Sequence, residues 1–235
     1  DVYKDSFLEF NVENPILAKP EVRHAIARAI DRNFIADKVY YRRAQVVDSP
    51  IPQVLSAYHD ASAFDYGYDV AAANKLLDQA GYPRQGSGPR FDLKLTLIPG
   101  ADFRRSADYL RAALNRVGIR VTVLTAIATF LQRAYTARDF DINLNGLGRL
   151  FDPTVGVQRI YWGDGVKNPL IWINASHYVN PRVDALFTQA AVETDESRRA
   201  AQFKEIQRIV GRDLPVLPIA LSLIHISEPT RLLSI

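Results

Sequence analysis

The chain has 235 residues, enough to bury a substantial core in one large domain or two small ones. Its 48% apolar and 23% charged content is that of a folded globular domain and excludes a disordered one. The net charge of +3 is spread along the chain, and its longest basic cluster, Tyr40-Tyr41-Arg42-Arg43, is too short for a nucleic-acid track, so no nucleic-acid partner is expected. The absence of cysteine excludes disulfides and thiolate metal sites.

In chain order, Phe7 to Asn11 reads as a short strand, and Pro20 opens a helix with Val22, Ile26, Ala29 and Ile30 on one face. Asp31 can cap a second helix carrying Phe34, Ile35 and Val39. Gln45 to Tyr68 holds Pro50, Pro52 and aromatics without a period, and reads as an irregular surface excursion. Asp69 caps a helix over Val70 to Ala80 that stops at Gly81, and Pro83 to Pro89 is a loop.

The clearest pattern follows. Phe91, Leu93, Leu95 and Leu97 alternate with polar residues as a strand. Phe103, Ala107, Leu110, Leu114 and Val117 then line a helix stopped at Gly118, and Val121 and Val123 mark a second strand. Such a strand, helix, strand unit predicts parallel strands and a right-handed crossover. A helix near Thr129 to Ala137 leads to an alternating strand at Phe140, Ile142 and Leu144. Two amphipathic helices follow, with faces at Val183, Leu186, Phe187 and Ala190 and at Phe203, Ile206 and Val210, before a short strand over Val216 to Ala220. The fold class is α/β, a mixed sheet flanked by helices.

Ligands in open α/β sheets meet the loops beyond the carboxyl ends of strands. Two such loops are readable, Pro99 to Asp102 and Gly146 to Pro153, and with parallel strands both open on one edge. Asp102 and Gly148 are candidate ligand contacts there, and Arg149 offers a planar cation suited to a carboxylate. Asp152 can accept from an ammonium or cap a helix at Thr154. Trp162, with Tyr161 and Trp172, can enclose a ligand or pack a core.

Catalytic signatures are missing. No histidine pair, acidic spacing, nucleophile elbow or phosphate-binding loop supports an enzyme, a metal or a cofactor. Asp139 and Asp141 leave a carboxylate-pair hydrolase as an alternative, beside a protein-interaction module.

Phe10-Asn11, Glu21 to Ile26, Ala29-Ile30-Asp31-Arg32, Tyr68-Asp69, Ala80-Gly81-Tyr82, Asp152-Pro153 and Asn180-Pro181 through Asp184 stand in one order and spacing. In these the chain resembles the family 5 solute-binding proteins, the receptors of peptide-type ABC importers. The resemblance runs from Phe7 to Ala220 and implies a non-enzymatic receptor. It implies one lobe of a periplasmic-binding-protein-like clamshell of type II, the second lobe over residues 1–220, extracytoplasmic and monomeric. The lobe would take a peptide-like or anionic small solute and deliver it to a membrane permease. Relatives hold a peptide's amino terminus with an acid near the position of Arg149, which the arginine here does not supply.

No residue is methionine, so Asp1 reads as an internal or processed end, and an export signal would lie outside the chain. Leu221 to Arg231 resembles a translated sequencing-library adapter. Residues 221–235 are accordingly set apart from the fold as an artefactual tail.

Overall fold

The computed structural model describes residues 3–124, 129–149, 152–167 and 170–222, with backbone alone at Tyr3, Lys4 and Arg149. Its strands are β1 (Tyr3–Phe10), β2 (Ala44–Val46), β3 (Phe91–Leu97), β4 (Ile119–Leu124), β5 (Ile142–Arg149) and β6 (Val216–Ser222). They form one sheet in the order β2-β6-β1-β5-β3-β4. β3 runs parallel to β4 and to β5, as the strand, helix, strand reading predicts, while β1 is antiparallel to both β5 and β6. The sheet is therefore mixed.

The helices are α1 (Pro20–Ala29), α2 (Arg32–Phe34, continued by a π-helical turn Ile35–Val39), α3 (Val70–Gln79) and α4 (Ala101–Arg116). After β5 come α5 (Pro153–Gly156), α6 (Gln158–Tyr161), α7 (Asp164–Lys167), α8 (Pro181–Val192) and α9 (Glu196–Asp213). The caps read from sequence are in place: the carboxylate of Asp31 accepts from Phe34 N–H and that of Asp69 from Ala72 N–H. Thr129 to Ala137 ends in a second π-helical turn, Gln132–Ala137.

Four boundaries differ from the sequence reading. β1 starts at Tyr3, because its whole length pairs with β5 from Ile142 to Arg149. Gly146 to Arg149 is accordingly the end of a strand and not a loop. The excursion after Gln45 begins with β2, whose Gln45 and Val46 pair with Leu221 and Ala220 of β6. β6 itself continues through Leu221 and Ser222, two residues assigned above to the tail, since backbone pairing with Asp5 and Ala44 is indifferent to side-chain identity. Residues 223–235 lie outside the described residues.

Strand alternation assigns the two faces of the sheet. Leu95 and Leu97 of β3, Ile142 and Leu144 of β5, and Leu8 and Phe10 of β1 share one face, all of them buried, and α4 packs there. Glu9, Asn143 and Asn145 share the other, beneath a small cluster of Phe130, Tyr135, Phe140 and Trp172.

The carboxyl end of α9 shows how distant segments are tied. Its last carbonyls have no partner within the helix. Tyr66 Oη donates to Gly211 O, His24 Nε2 lies 2.7 Å from Arg212 O, and Arg23 Nε reaches Asp213 O at 3.1 Å and Leu214 O at 3.0 Å. Arg23 also donates to Leu17 O and, at 3.0 Å, to Ala18 O, although its residue is only 4% exposed. A buried cation is tolerable there because it faces the negative end of a helix.

Candidate functional site

β3 and β5 run parallel, so their carboxyl ends meet at one edge of the sheet. A cavity of about 360 Å³ opens there, lined by Pro99, Asp102 and Phe103 after β3 and by Gly146, Leu147 and Gly148 of β5. Asp5 and Ser6 of β1, Tyr40, and Ala220 and Ser222 of β6 close the other side. Thus the two segments singled out from sequence do share a cavity.

Two glycines shape it. Gly100, at φ 155, takes a backbone that side chains rarely adopt and turns the chain from β3 into α4 at the cavity's rim. At Gly146 a Cβ would lie 2.7 Å from Cζ of Phe103, so glycine is what lets α4 seat its phenyl ring against β5.

The five candidate contacts are distributed unevenly. Asp102 and Gly148 line the cavity, and Asp102 is ion-paired with Arg105 one turn along α4. Trp162 is half-buried and lines a second hollow of about 550 Å³ over α5 and α6, with Val155, Arg159, Leu170 and Ile173. The backbone of Arg149 ends β5 opposite Tyr3, and its side chain lies outside the described residues.

Asp152 caps α5, accepting from Thr154 N–H at 2.7 Å, and is gripped at both oxygens by Nη2 of Arg199 on α9, at 3.1 and 3.0 Å. Burial works to raise its pKa, but the guanidinium and the Thr154 donors more than offset it and hold the carboxyl below the ordinary range. An acid so engaged is scaffold first. Tyr161 is wholly buried, and Trp172 packs on Phe130 and Tyr135.

Sequence reasoning passed over two groups beside the site. Arg159 on α6 donates from Nη2 to Gly148 O at 2.9 Å, which connects the wall of the second hollow to the floor of the first. Glu9 is buried in mid-sheet, its Oε2 accepting from Asn143 at 2.6 Å and from Asn145 at 3.1 Å, and Asn145 also donates to Tyr135 Oη at 2.7 Å. Burial raises the Glu9 pKa to about 7, against the opposing pull of the two amides and the charge of Arg138. Only the register Glu9 opposite Asn143 could have suggested the network, and register is not visible in one sequence.

The carboxylate pair weighed as a hydrolase is otherwise employed. Asp139 is paired with Lys94 at 2.7 Å, which holds its carboxyl low and makes it a poor proton donor. Asp141 accepts from Asn14 at 2.7 Å and from Lys94 N–H at 2.6 Å. No group of metal-ligating side chains occurs among the described residues, and none of the described helices is long and apolar enough to cross a membrane.

Comparison with known proteins adds the following. Residues 3–168 match the family described as bacterial extracellular solute-binding proteins, family 5, middle region. The peptide transport periplasmic protein SapA of Haemophilus influenzae is 28% identical over 225 residues, 92% of this chain and 38% of that protein. Di/tripeptide-binding protein 1 of Pseudomonas aeruginosa is 25% identical over 226 residues, 96% of this chain and 41% of that protein. Among solved structures, a dipeptide-binding protein of Pseudoalteromonas sp. SM9913 in complex with Met-Leu superimposes with a TM-score of 0.83 at 26% identity, over 94% of this chain and 43% of that one. The chain thus spans about two-fifths of the length of these relatives.

Proposed function

We propose, because this chain belongs to the family 5 bacterial extracellular solute-binding proteins, that it supplies one lobe of a two-lobed receptor that captures a small peptide-like solute for an ABC importer. Residues 1–220, with Leu221 and Ser222 continuing its last strand, make up that lobe, the second of the clamshell, and residues 223–235 are foreign to it. The receptor works outside the cytoplasm as a monomer, binds rather than transforms its solute, and hands it to a membrane permease. Relatives whose names record peptide or dipeptide binding support the solute class.

The observation that carries this reading is the cavity at the carboxyl ends of β3 and β5, with Asp102 and Gly148 in its wall. Backbone groups of Gly146 and Gly148 stand at the end of a strand where an extended solute can meet them, and Asp102 offers an acceptor to its donors. A lobe alone presents half a cleft, so its affinity is weak. Titrating the tripeptide Ala-Ala-Leu into the 15N-labelled chain should shift the Gly146 and Gly148 amides saturably in the millimolar range. Unmoved glycine amides would refute the site. Micromolar affinity by calorimetry would refute the half-cleft.

A further inference from the structure

We infer that Glu9 keeps a proton in the middle of the sheet through a reciprocal acid–amide pair with Asn143, and that its loss is transmitted through Asn145 to the wall of the first cavity, weakening solute binding. The inference concerns the regulation of the solute site proposed above and rests on it. Glu9 is 2% exposed and Asn143 and Asn145 are wholly buried, so their polar atoms need partners inside the protein. Asn143 Nδ2 donates to Glu9 Oε2 at 2.6 Å, yet Asn143 Oδ1, equally buried, meets no donor among the described residues. A carboxylate has only acceptors and cannot serve it. A carboxylic acid can, since its second oxygen then carries a hydrogen for Oδ1 while Oε2 goes on accepting from Nδ2. One proton thus satisfies both side chains.

The surroundings favour the acid. From β5 Glu9 meets the neutral amides of Asn143 and Asn145, and its cross-strand neighbour on β6 is Val216. The second π-helical turn adds Tyr135, whose hydroxyl bonds Asn145. Arg138 is a cation whose charge favours ionised Glu9, but its guanidinium donates to Ala175 O at 3.0 Å and to Asn174 O at 3.3 Å. Its charge acts also on Glu13, which pairs with His177 at 2.6 Å. The charge of Arg159 falls on Tyr135. Burial therefore prevails, and the Glu9 carboxyl is raised to about 7.

Asn145 carries the consequence to the cavity. Its Nδ2 donates to Glu9 Oε2 at 3.1 Å and to Tyr135 Oη at 2.7 Å, while its Oδ1 accepts from Gly146 N–H at 2.8 Å. The amide is planar, so its donors and acceptor turn together. An ionised Glu9 attracts Nδ2 more strongly, and the same rotation draws Oδ1 away from Gly146. Gly146 has little room to follow, because Phe103 seats against it and both line the cavity.

The test follows the whole chain between pH 5 and 9 by the Glu9 side-chain carboxyl in 13C NMR, the Gly146 amide in 15N NMR, and the affinity for Ala-Ala-Leu. Carboxyl and amide should titrate together with a midpoint near 7. Affinity should fall about fivefold from pH 5.5 to pH 8.5, the lower end of couplings between sites. Glu9→Gln, whose amide offers Asn143 the same acceptor and donor as the acid, should remove both the Gly146 titration and the pH dependence of binding. Asn145→Val should leave Glu9 titrating, at a still higher midpoint because the carboxylate loses a donor, and should silence Gly146. A carboxyl that titrates near the ordinary 4.5 overturns the buried proton. A Gly146 amide that titrates equally in Glu9→Gln overturns the transmission. Equal affinity at the two pH values, with both titrations in place, overturns the regulation while leaving the site. Glycine amides that the peptide moves at neither pH remove the solute site itself and the regulation with it, whereas the two titrations still report the proton.

Discussion

Replacing Arg23 by methionine should be among the most damaging single changes in the chain, although Arg23 lines neither hollow. Methionine keeps the apolar stem and removes the fork that serves the carbonyls of Leu17, Ala18, Asp213 and Leu214. Each hydrogen bond from a charged donor is worth about 1.5–3 kcal/mol. Against that stands the cost of holding the cation: burial lowers the guanidinium's pKa, with Asp213 and Tyr178 opposing. Removing one partner of a buried charged arrangement typically costs about 3–5 kcal/mol net, and about 4 kcal/mol is expected here. For 235 residues an unfolding entropy of about 2.1 cal/mol/K per residue gives roughly 0.5 kcal/mol/K, so the midpoint should fall by about 8 °C. Arg23→Lys, which keeps the charge but not the planar fork, should lose about half as much. Urea titration followed by circular dichroism measures both. A loss below about 1 kcal/mol for Arg23→Met would show that water replaces the guanidinium at those carbonyls, and the argument from α9's carboxyl end would fail.

Glu9 makes stability depend on pH in the direction opposite to most acids. Its folded pKa of about 7 lies above the ordinary 4.5, so its contribution is fully present below pH 4.5 and is lost as the pH rises through about 7. The shift corresponds to about 3 kcal/mol, so Glu9→Gln should match the parent at pH 4.5 and exceed it by up to that amount at pH 8; parallel stability profiles for the two chains would exclude Glu9 as the source. Deleting residues 223–235 should leave the melting midpoint unchanged and the transition cooperative, because β6 ends at Ser222. A clear drop in midpoint would make those residues part of the lobe.

Elements with one buried face were legible because a period of two or of 3.6 survives in sequence, as in Phe91 to Leu97 and Val183 to Ala190. The burial of Asn143 and Asn145 is not legible for the same reason: alternating with Ile142 and Leu144 they have the pattern of a half-exposed strand, yet both are wholly buried. β5 sits between β1 and β3, and the π-helical turn at Tyr135 covers its second face, so the asparagines answer Glu9 instead of water.

The same logic separates family from solute. Most of the residues that carry the resemblance are spent on the backbone. Asn11 donates to Phe140 O at 3.0 Å, Arg23 clamps α9, Arg32 donates to Val47 O at 2.8 Å, and Asp69 and Asn180 cap α3 and α8. Each satisfies a group that every chain of this fold must satisfy, whatever it binds. Asp152 belongs with them, through its cap and Arg199. Arg159, outside the residues that carry the resemblance, also serves a backbone carbonyl: its bond to Gly148 O joins positions eleven apart, and nothing in Gln158-Arg159-Ile160-Tyr161 distinguishes it locally from a surface arginine. Solute preference is therefore to be sought at positions that hold up none of the fold, such as Leu170, exposed in the wall of the second hollow.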